Sequence, residues 1–254
     1  MSRLFDLSGR TALITGGSRG IGHAIAQALT GAGARVVING RSADALAQAA
    51  QALRVDGAQV DTAAFDVCDS AAVTAGIADI ESRIGPIDIL VNNAGIQRRA
   101  PLDQFADDDW HALMDTNLNS VFYVSRAVAQ GMLARGRGKI INIASVQSEL
   151  ARPNIAPYTA SKGAIRNLTR GMCADWAARG LQINAIAPGY FDTPLNKALV
   201  EDPVFDAWLC KRTPAGRWGR LEDLHGAAVF LASSASDFVN GQTIFVDGGI
   251  VSVI

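Results

Sequence analysis

The sequence predicts an α/β fold, a doubly wound parallel sheet with helices on both faces, and three observations predict it. Short apolar, β-leaning runs alternate with amphipathic helical stretches nearly from end to end. The first run is joined to the first helical stretch by a glycine-rich turn. The 254 residues hold no low-complexity linker and no internal repeat, which suits one domain spanning 1–254.

Taken in order, the candidate strands are 11–15, 35–39, 59–65, 87–92, 139–144, 182–187 and 243–246. Six are separated from the next by a segment long enough for a crossover helix, as a parallel sheet requires. The first strand runs into Gly16-Gly17-Ser18-Arg19-Gly20-Ile21-Gly22 and then an Ala-rich helix. Glycines 16, 20 and 22 permit a tight turn and a close approach to a pyrophosphate, with the helix N-terminus offering free N–H groups. The spacing is G-x-x-x-G-x-G, not the G-x-G-x-x-G of many dinucleotide folds, and alone it reads equally well as a turn.

The second strand ends in Asn39-Gly40-Arg41-Ser42, with no carboxylate at the tip to accept from a ribose 2′-OH. Arg41 and Arg19 offer instead two guanidinium groups for a 2′-phosphate, so NADP(H) is the expected cofactor. Both arginines would also serve as solvated surface charges, and Asp44 would have to reach back from the next helix to favour NAD. The fourth strand leads into Asn92-Asn93-Ala94-Gly95, at the carboxyl edge where open α/β sheets bind ligands, or into a plain Asn-Gly turn. Helical runs 107–134 and 157–179 carry broad apolar faces, one for the sheet and one for a second copy of the chain. Segment 193–219 interrupts the alternation and suits a lid over the cleft. The apolar tail, 248–254, is expected either at a subunit contact or finishing the core.

The chemistry is concentrated in Ser145, Tyr158 and Lys162. A phenol titrates near ~10, too high for acid–base work at neutrality, and a cation one helical turn away favours its ionised form. The i,i+4 spacing puts Tyr158 and Lys162 on one helix face. Bringing the phenol near neutrality takes about 4 kcal/mol, which calls for a low-dielectric cleft and a second cation such as an oxidised nicotinamide. Ser145 is placed to donate to the oxygen on which charge changes. A Y-x-x-x-K pair without that context would read as an ordinary helix face.

Composition excludes several classes. Net charge is −1 and no charge block marks a nucleic-acid or membrane surface, so neither partner is expected. The first residues lack the apolar core of a signal peptide, and no apolar run approaches the ~20 residues of a membrane helix, so a cytoplasmic location is expected. Cys68, Cys173 and Cys210 read as reduced thiols, and with His23, His111 and His225 equally scattered no metal is expected.

Glycine loop, tyrosine–lysine pair and alternating order together resemble the short-chain dehydrogenases/reductases over the whole chain. Thr15 to Gly22, Asn92-Asn-Ala-Gly95, Asn117, Ser145, Tyr158, Lys162 and Pro188-Gly189 stand in that family's order and approximate spacing. The resemblance implies a Rossmann-type seven-stranded sheet of order 3-2-1-4-5-6-7, as a homotetramer. It implies Tyr158 as general acid–base, Lys162 on the nicotinamide ribose, Ser145 orienting the carbonyl and Asn117 holding a relay water. It also places Asp66 and Val67 at the adenine, Asn93, Ala94 and Gly95 along the cofactor, and 186–193, including Pro188, Gly189 and Thr193, around the nicotinamide. Seen alone, Asn117 would read as a buried structural amide.

Substrate residues are local to two loops. Arg98 and Arg99 follow the Asn-Asn-Ala-Gly segment, and Gln147, Ser148, Glu149 and Arg152 follow the serine. Three arginines suit a carboxylate and the remaining groups suit hydroxyls, so a small sugar acid is the expected substrate. Surface charge is the competing reading for each arginine. These loops, with Ala187-Pro-Gly-Tyr-Phe191 and the run 207–219, resemble the gluconate 5-dehydrogenase (5-keto-D-gluconate 5-reductase) subgroup. That implies reversible, NADPH-dependent reduction of the C5 ketone of 5-keto-D-gluconate. Competing readings are a 2-dehydro-3-deoxy-D-gluconate 5-dehydrogenase, a 3-oxoacyl carrier-protein reductase, and a non-enzymatic NADP sensor.

Overall fold

The computed structural model describes residues 3–55, 57–193 and 196–253. Seven strands form one parallel sheet in the order β3-β2-β1-β4-β5-β6-β7. They are β1 (Thr11–Thr15), β2 (Arg35–Gly40), β3 (Val60–Ala64), β4 (Ile89–Asn92), β5 (Gly138–Ile143), β6 (Leu181–Pro188) and β7 (Thr243–Val246). All seven candidate strands are present, with ends shifted by one or two residues.

The strands read as continuous apolar runs because both faces are covered. Successive side chains of β1 divide between two layers: Ala12 and Ile14 pack on one side, Leu13 on the other. The first layer is closed by α1 (Gly20–Gly31), α2 (Ala43–Leu53) and α9 (His225–Ala232) through Ile25, Leu29, Leu46 and Ala228. The second is closed by α3 (Ser70–Arg83), α5 (Ser120–Arg135) and α6 (Ala156–Trp176) through Val73, Ile77, Val124, Val128 and Ile165. The chain reverses direction across the sheet between β1 and its neighbours β2 and β4, which opens a crevice at their carboxyl ends.

Two helical expectations are refined. The stretch 107–134 is not one regular helix: α4 (Asp107–Met114) passes through a π-type turn at Asp115–Asn119 before α5 begins. Such a widened turn interrupts the regular ladder and is common at functional positions. The stretch 157–179 is α6 ending in a tight turn, Ala177–Arg179.

Segment 193–219 contributes α7 (Lys197–Val200) and α8 (Pro203–Arg212), with 194 and 195 outside the described residues. Leu209 of α8 packs with Val146 and with Ile250 of the tail, and Arg212 donates to the Val253 carbonyl at 3.0 Å. The described part of the tail thus finishes a small core of its own subunit. Among the described residues no helix is long and apolar enough to cross a membrane, and no group of three or more His, Cys, Asp or Glu could hold a metal ion.

Candidate active site

The first wall of the crevice is made almost entirely of backbone. Gly16 sits at φ +64°, a conformation L side chains rarely adopt, and a Cβ on Gly22 would collide with Asn93 Nδ2 and the Gly16 carbonyl. Asn93 Nδ2 donates to the carbonyls of Thr15 (2.9 Å) and Gly16 (3.1 Å), while Thr15 Oγ1 accepts from the N–H groups of Asn93 (3.0 Å) and Ala94 (3.1 Å). The Asn93 side chain is therefore a clasp that fixes the glycine loop, not a free arm for a ligand. Arg19 precedes α1 in an extended conformation and makes no side-chain cap, so the first N–H groups of the helix stay open beside Ser18, Gly20 and Ile21.

Arg19 and Arg41 are exposed and, among the described residues, neither pairs with a carboxylate. Asn39, expected among the cofactor-binding residues at the tip of the second strand, stands near the end of β2. It is buried, and its Nδ2 donates to the carbonyls of Ala63 and Phe65, both at 3.1 Å, locking β2 to β3. Asp66 accepts from the Cys68 N–H at 2.9 Å to shape the turn after β3, and Val67 is buried in the second layer.

The tyrosine cluster lies at the ends of β5 and α6. Ser145 follows β5 and caps a short turn, Val146–Ser148, by accepting from the Gln147 N–H at 3.2 Å, and it hydrogen-bonds to the Tyr158 hydroxyl. Tyr158 stands in the first turn of α6, next to Pro157, whose fixed φ favours helix initiation. One turn later, buried Lys162 donates from Nζ to the Ile143 carbonyl at 2.7 Å, with Nζ 5.7 Å from the Tyr158 ring centroid.

Asn117 lies in the π-type turn with both ends of its amide engaged. Oδ1 accepts from the Ile96 N–H at 2.8 Å, and Nδ2 donates to the Ile96 carbonyl at 3.0 Å and to Ser161 Oγ at 3.3 Å. Ser161 in turn donates to the Tyr158 carbonyl at 2.8 Å. The side chain braces the 93–96 loop against α6.

Electrostatics correct one expectation. Burial pushes Tyr158 up to about 12, opposed by the Ser145 hydrogen bond and by the charge of Arg99. Burial also pushes Lys162 down to about 8. The lysine was expected to draw the phenol down, but its ammonium is turned to the Ile143 carbonyl, so desolvation wins in the cleft as it stands.

On the substrate side the arginine pair divides. Arg98 turns outward and pairs with Asp109 at 3.0 Å, both half-exposed, so it is not available to a carboxylate in the cleft. Arg99 is exposed like its neighbour but lies near Tyr158 and Tyr190, on which its charge acts, and burial of part of the side chain and then the charge of Arg152 lower its pKa. Glu149 is likewise drawn away, paired with Arg166 of α6. Arg152 lies over the Phe205 ring, 5.5 Å from its centroid, and its charge favours the ionised form of Tyr190, whose hydroxyl accepts from Gln147 Nε2 at 3.2 Å.

Tyr190 was missed by sequence reasoning as a site residue, although its place directly after Pro188-Gly189 at the end of β6 was a usable signal. Its ring packs against Phe205 of α8 at 5.7 Å and edge-on to Trp218 at 6.0 Å. Asp206 fastens the three by accepting from Trp218 Nε1 at 2.7 Å. Behind Tyr190 lies a cavity of about 200 Å³ lined by Phe191, Thr213 and Asp247, which shares only Tyr190 with the catalytic cluster. Pro188 closes β6, Gly189 crosses too close to Asp247 Cα for a Cβ (2.8 Å), and Thr193 is buried.

A doubly wound sheet with this glycine loop and a serine–tyrosine–lysine cluster at its carboxyl edge defines a class, and the chain belongs to the short-chain dehydrogenases/reductases. The family described as enoyl-(acyl carrier protein) reductase matches residues 16–251. The chain is 62% identical over 247 residues to the gluconate 5-dehydrogenase of Gluconobacter oxydans (strain 621H), covering 97% of this chain and 96% of that protein. It is 51% identical over 254 residues to the 5-keto-D-gluconate 5-reductase of Escherichia coli (strain K12), covering 100% of both. The crystal structure of a gluconate 5-dehydrogenase from Burkholderia cenocepacia J2315 in complex with NADP and tartrate matches with a TM-score of 0.97 at 63% identity, over 99% of each chain.

Proposed function

We propose that this chain is an NADP(H)-dependent oxidoreductase that reversibly reduces the C5 ketone of 5-keto-D-gluconate to D-gluconate. The observation that carries the reading is the convergence of Ser145, Tyr158, Arg99, Arg152, Gln147 and Tyr190 on one cleft beside the glycine loop. Full-length similarity to relatives named for this reaction supports it, as does a solved relative in complex with NADP and tartrate, a hydroxy acid.

The cradle fits the cofactor. The loop that has no room for a Cβ at Gly22 and the open N–H groups of α1 suit a pyrophosphate, and the unpaired Arg19 and Arg41 suit a 2′-phosphate. Gly16, Ser18, Gly20, Ile21, Asp66, Val67, Ala94 and Gly95 would line its adenosine and phosphate part, and Pro188, Gly189, Thr193 and Lys162 its nicotinamide part. When bound, NADPH supplies the hydride. Ser145 and Tyr158 share one carbonyl oxygen, and the neutral phenol gives its proton as negative charge grows there. A phenol held high by burial is the correct form for that donation. In the oxidative direction the phenolate is needed, and Ser145 and Arg99 are the groups that favour it. Arg99 and Arg152 hold the carboxylate and so fix the ketone in near-attack position. Residues 193–219 act as the lid, and the protein works as a cytoplasmic homotetramer, which light scattering would check.

The experiment is NADPH and NADH consumption by the purified protein with 5-keto-D-gluconate, 2,5-diketo-3-deoxy-D-gluconate and an acetoacetyl thioester. Rapid NADPH oxidation with the first alone is the expected result. Turnover of either other carbonyl in its place would transfer the assignment to a sibling activity, and NADPH binding without turnover of any would leave a sensor.

A further inference from the structure

The cleft around Tyr190 holds two buried polar atoms without partners, and they are opposite in kind. Gln147 is only 6% exposed, and its Nε2 is spent on the Tyr190 hydroxyl, which leaves Oε1 a buried acceptor with no donor. Arg152 lies over the Phe205 ring that packs against Tyr190, and its Nε is a buried donor with no acceptor. Both side chains adjoin Tyr190, Gln147 through the hydroxyl and Arg152 through Phe205, which brings the two orphan atoms to one region of the cleft. An unpaired buried group destabilises the empty protein, and a ligand that completes it recovers that loss.

The chemistry of the missing partners is restrictive. Gln147 Oε1 needs a donor, which a carboxylate or a ketone cannot be, whereas Arg152 Nε needs an acceptor and favours an anion. A carboxylate and a hydroxyl on adjacent carbons meet both needs. Tyr190 holds Gln147 through its hydroxyl, its ring is itself fixed between Phe205 and Trp218, and Phe205 carries Arg152 on its face.

We propose that Gln147 and Arg152, set by Tyr190, read the C1 carboxylate together with the C2 hydroxyl of the sugar acid, so that the enzyme selects 2-hydroxy acids over acids with a C2 ketone or methylene. This rests on the reading of the site as a 5-keto-D-gluconate reductase and adds the residue that separates that activity from reduction of 2-keto, 3-deoxy acids. Gln147 is a specificity residue here and Tyr190 a positioning residue.

The test is steady-state kinetics with NADPH on 5-keto-D-gluconate and on its 2-deoxy analogue, for the wild type, Gln147→Leu and Tyr190→Phe. In the wild type kcat/KM is expected to fall about ten- to a hundredfold for the analogue, mostly in KM, since the site's acceptor is left unpaired. In Gln147→Leu the parent substrate should fall to the level of the analogue, leaving a ratio within about threefold. Tyr190→Phe keeps the aromatic contacts and should reduce the ratio part-way. NADPH affinity within a few-fold of wild type reads an intact fold in each variant, and if a variant fails to fold, the wild-type comparison decides alone. Equal use of the two substrates by the wild type, or undiminished preference in Gln147→Leu, would overturn the inference while leaving the proposed function intact. A wild type that binds NADPH but does not reduce 5-keto-D-gluconate itself would overturn both.

Discussion

The two walls of the cleft are built on different terms. The cofactor wall is backbone: a glycine at positive φ, a helix start with open N–H groups, and an asparagine whose amide bonds to the loop it clasps. The substrate wall is long side chains, several of them cationic, with buried atoms left unpaired. A wall of backbone is rigid before anything binds and serves any molecule with the same phosphate frame. A wall of side chains takes its shape from whichever partners pull hardest, and that is where one substrate is told from another.

Breaking the chemistry that both walls serve should give the largest effect. Tyr158→Phe is expected to lower kcat about a thousandfold or more while NADPH affinity stays within a few-fold, since only the proton donor is lost. Stopped-flow turnover beside fluorescence titration checks both halves.

Next comes the rigid wall. Gly22→Ala forces a Cβ into Asn93 and the Gly16 carbonyl, so a loss of about 1–3 kcal/mol in stability is expected, with NADPH affinity weakened about tenfold. Thermal unfolding with and without NADPH separates the two contributions. Arg41→Ala at the edge of that wall should cut the preference for NADPH over NADH by about tenfold and leave kcat with NADH unchanged, because one charge-assisted contact to a 2′-phosphate is removed.

A smaller effect falls on pH dependence. Arg99 favours the Tyr158 phenolate, so Arg99→Ala should raise the phenol's pKa and move the alkaline rise of gluconate oxidation to higher pH. Reduction needs the neutral phenol and should retain its rate to higher pH in the same variant. A profile that moves to lower pH would mean that Arg99 does not act on Tyr158.

The same contrast decides what was legible in the sequence. Strand alternation, the glycine loop and the order of Ser145, Tyr158 and Lys162 could be read directly because each has local spacing enforced by backbone geometry. The direction of long side chains could not. Arg98 and Arg99 are neighbours in sequence and opposite in fate, because Asp109 on α4 draws one outward and nothing in the local pattern announces that pairing. Glu149 is drawn to Arg166 in the same way, and Asn39 and Asn93 spend their amides on carbonyls of neighbouring segments. The break in 107–134 was hidden because a π-type turn adds no residue type of its own. Tyr190 was within reach, and its partners Phe205 and Trp218 came near it only through the fold of segment 193–219.

The measurement that bears most directly on this division is the KM for 5-keto-D-gluconate of Arg98→Ala and Arg99→Ala side by side, at saturating NADPH. Removing the Arg99 guanidinium, the one near Tyr158, should raise KM about tenfold or more, whereas removing that of Arg98, whose exposed pair with Asp109 contributes little, should leave it within about twofold. Equal increases, or a larger one for Arg98→Ala, would contradict the division between Arg99 near Tyr158 and Arg98 paired with Asp109, and the substrate wall built on it.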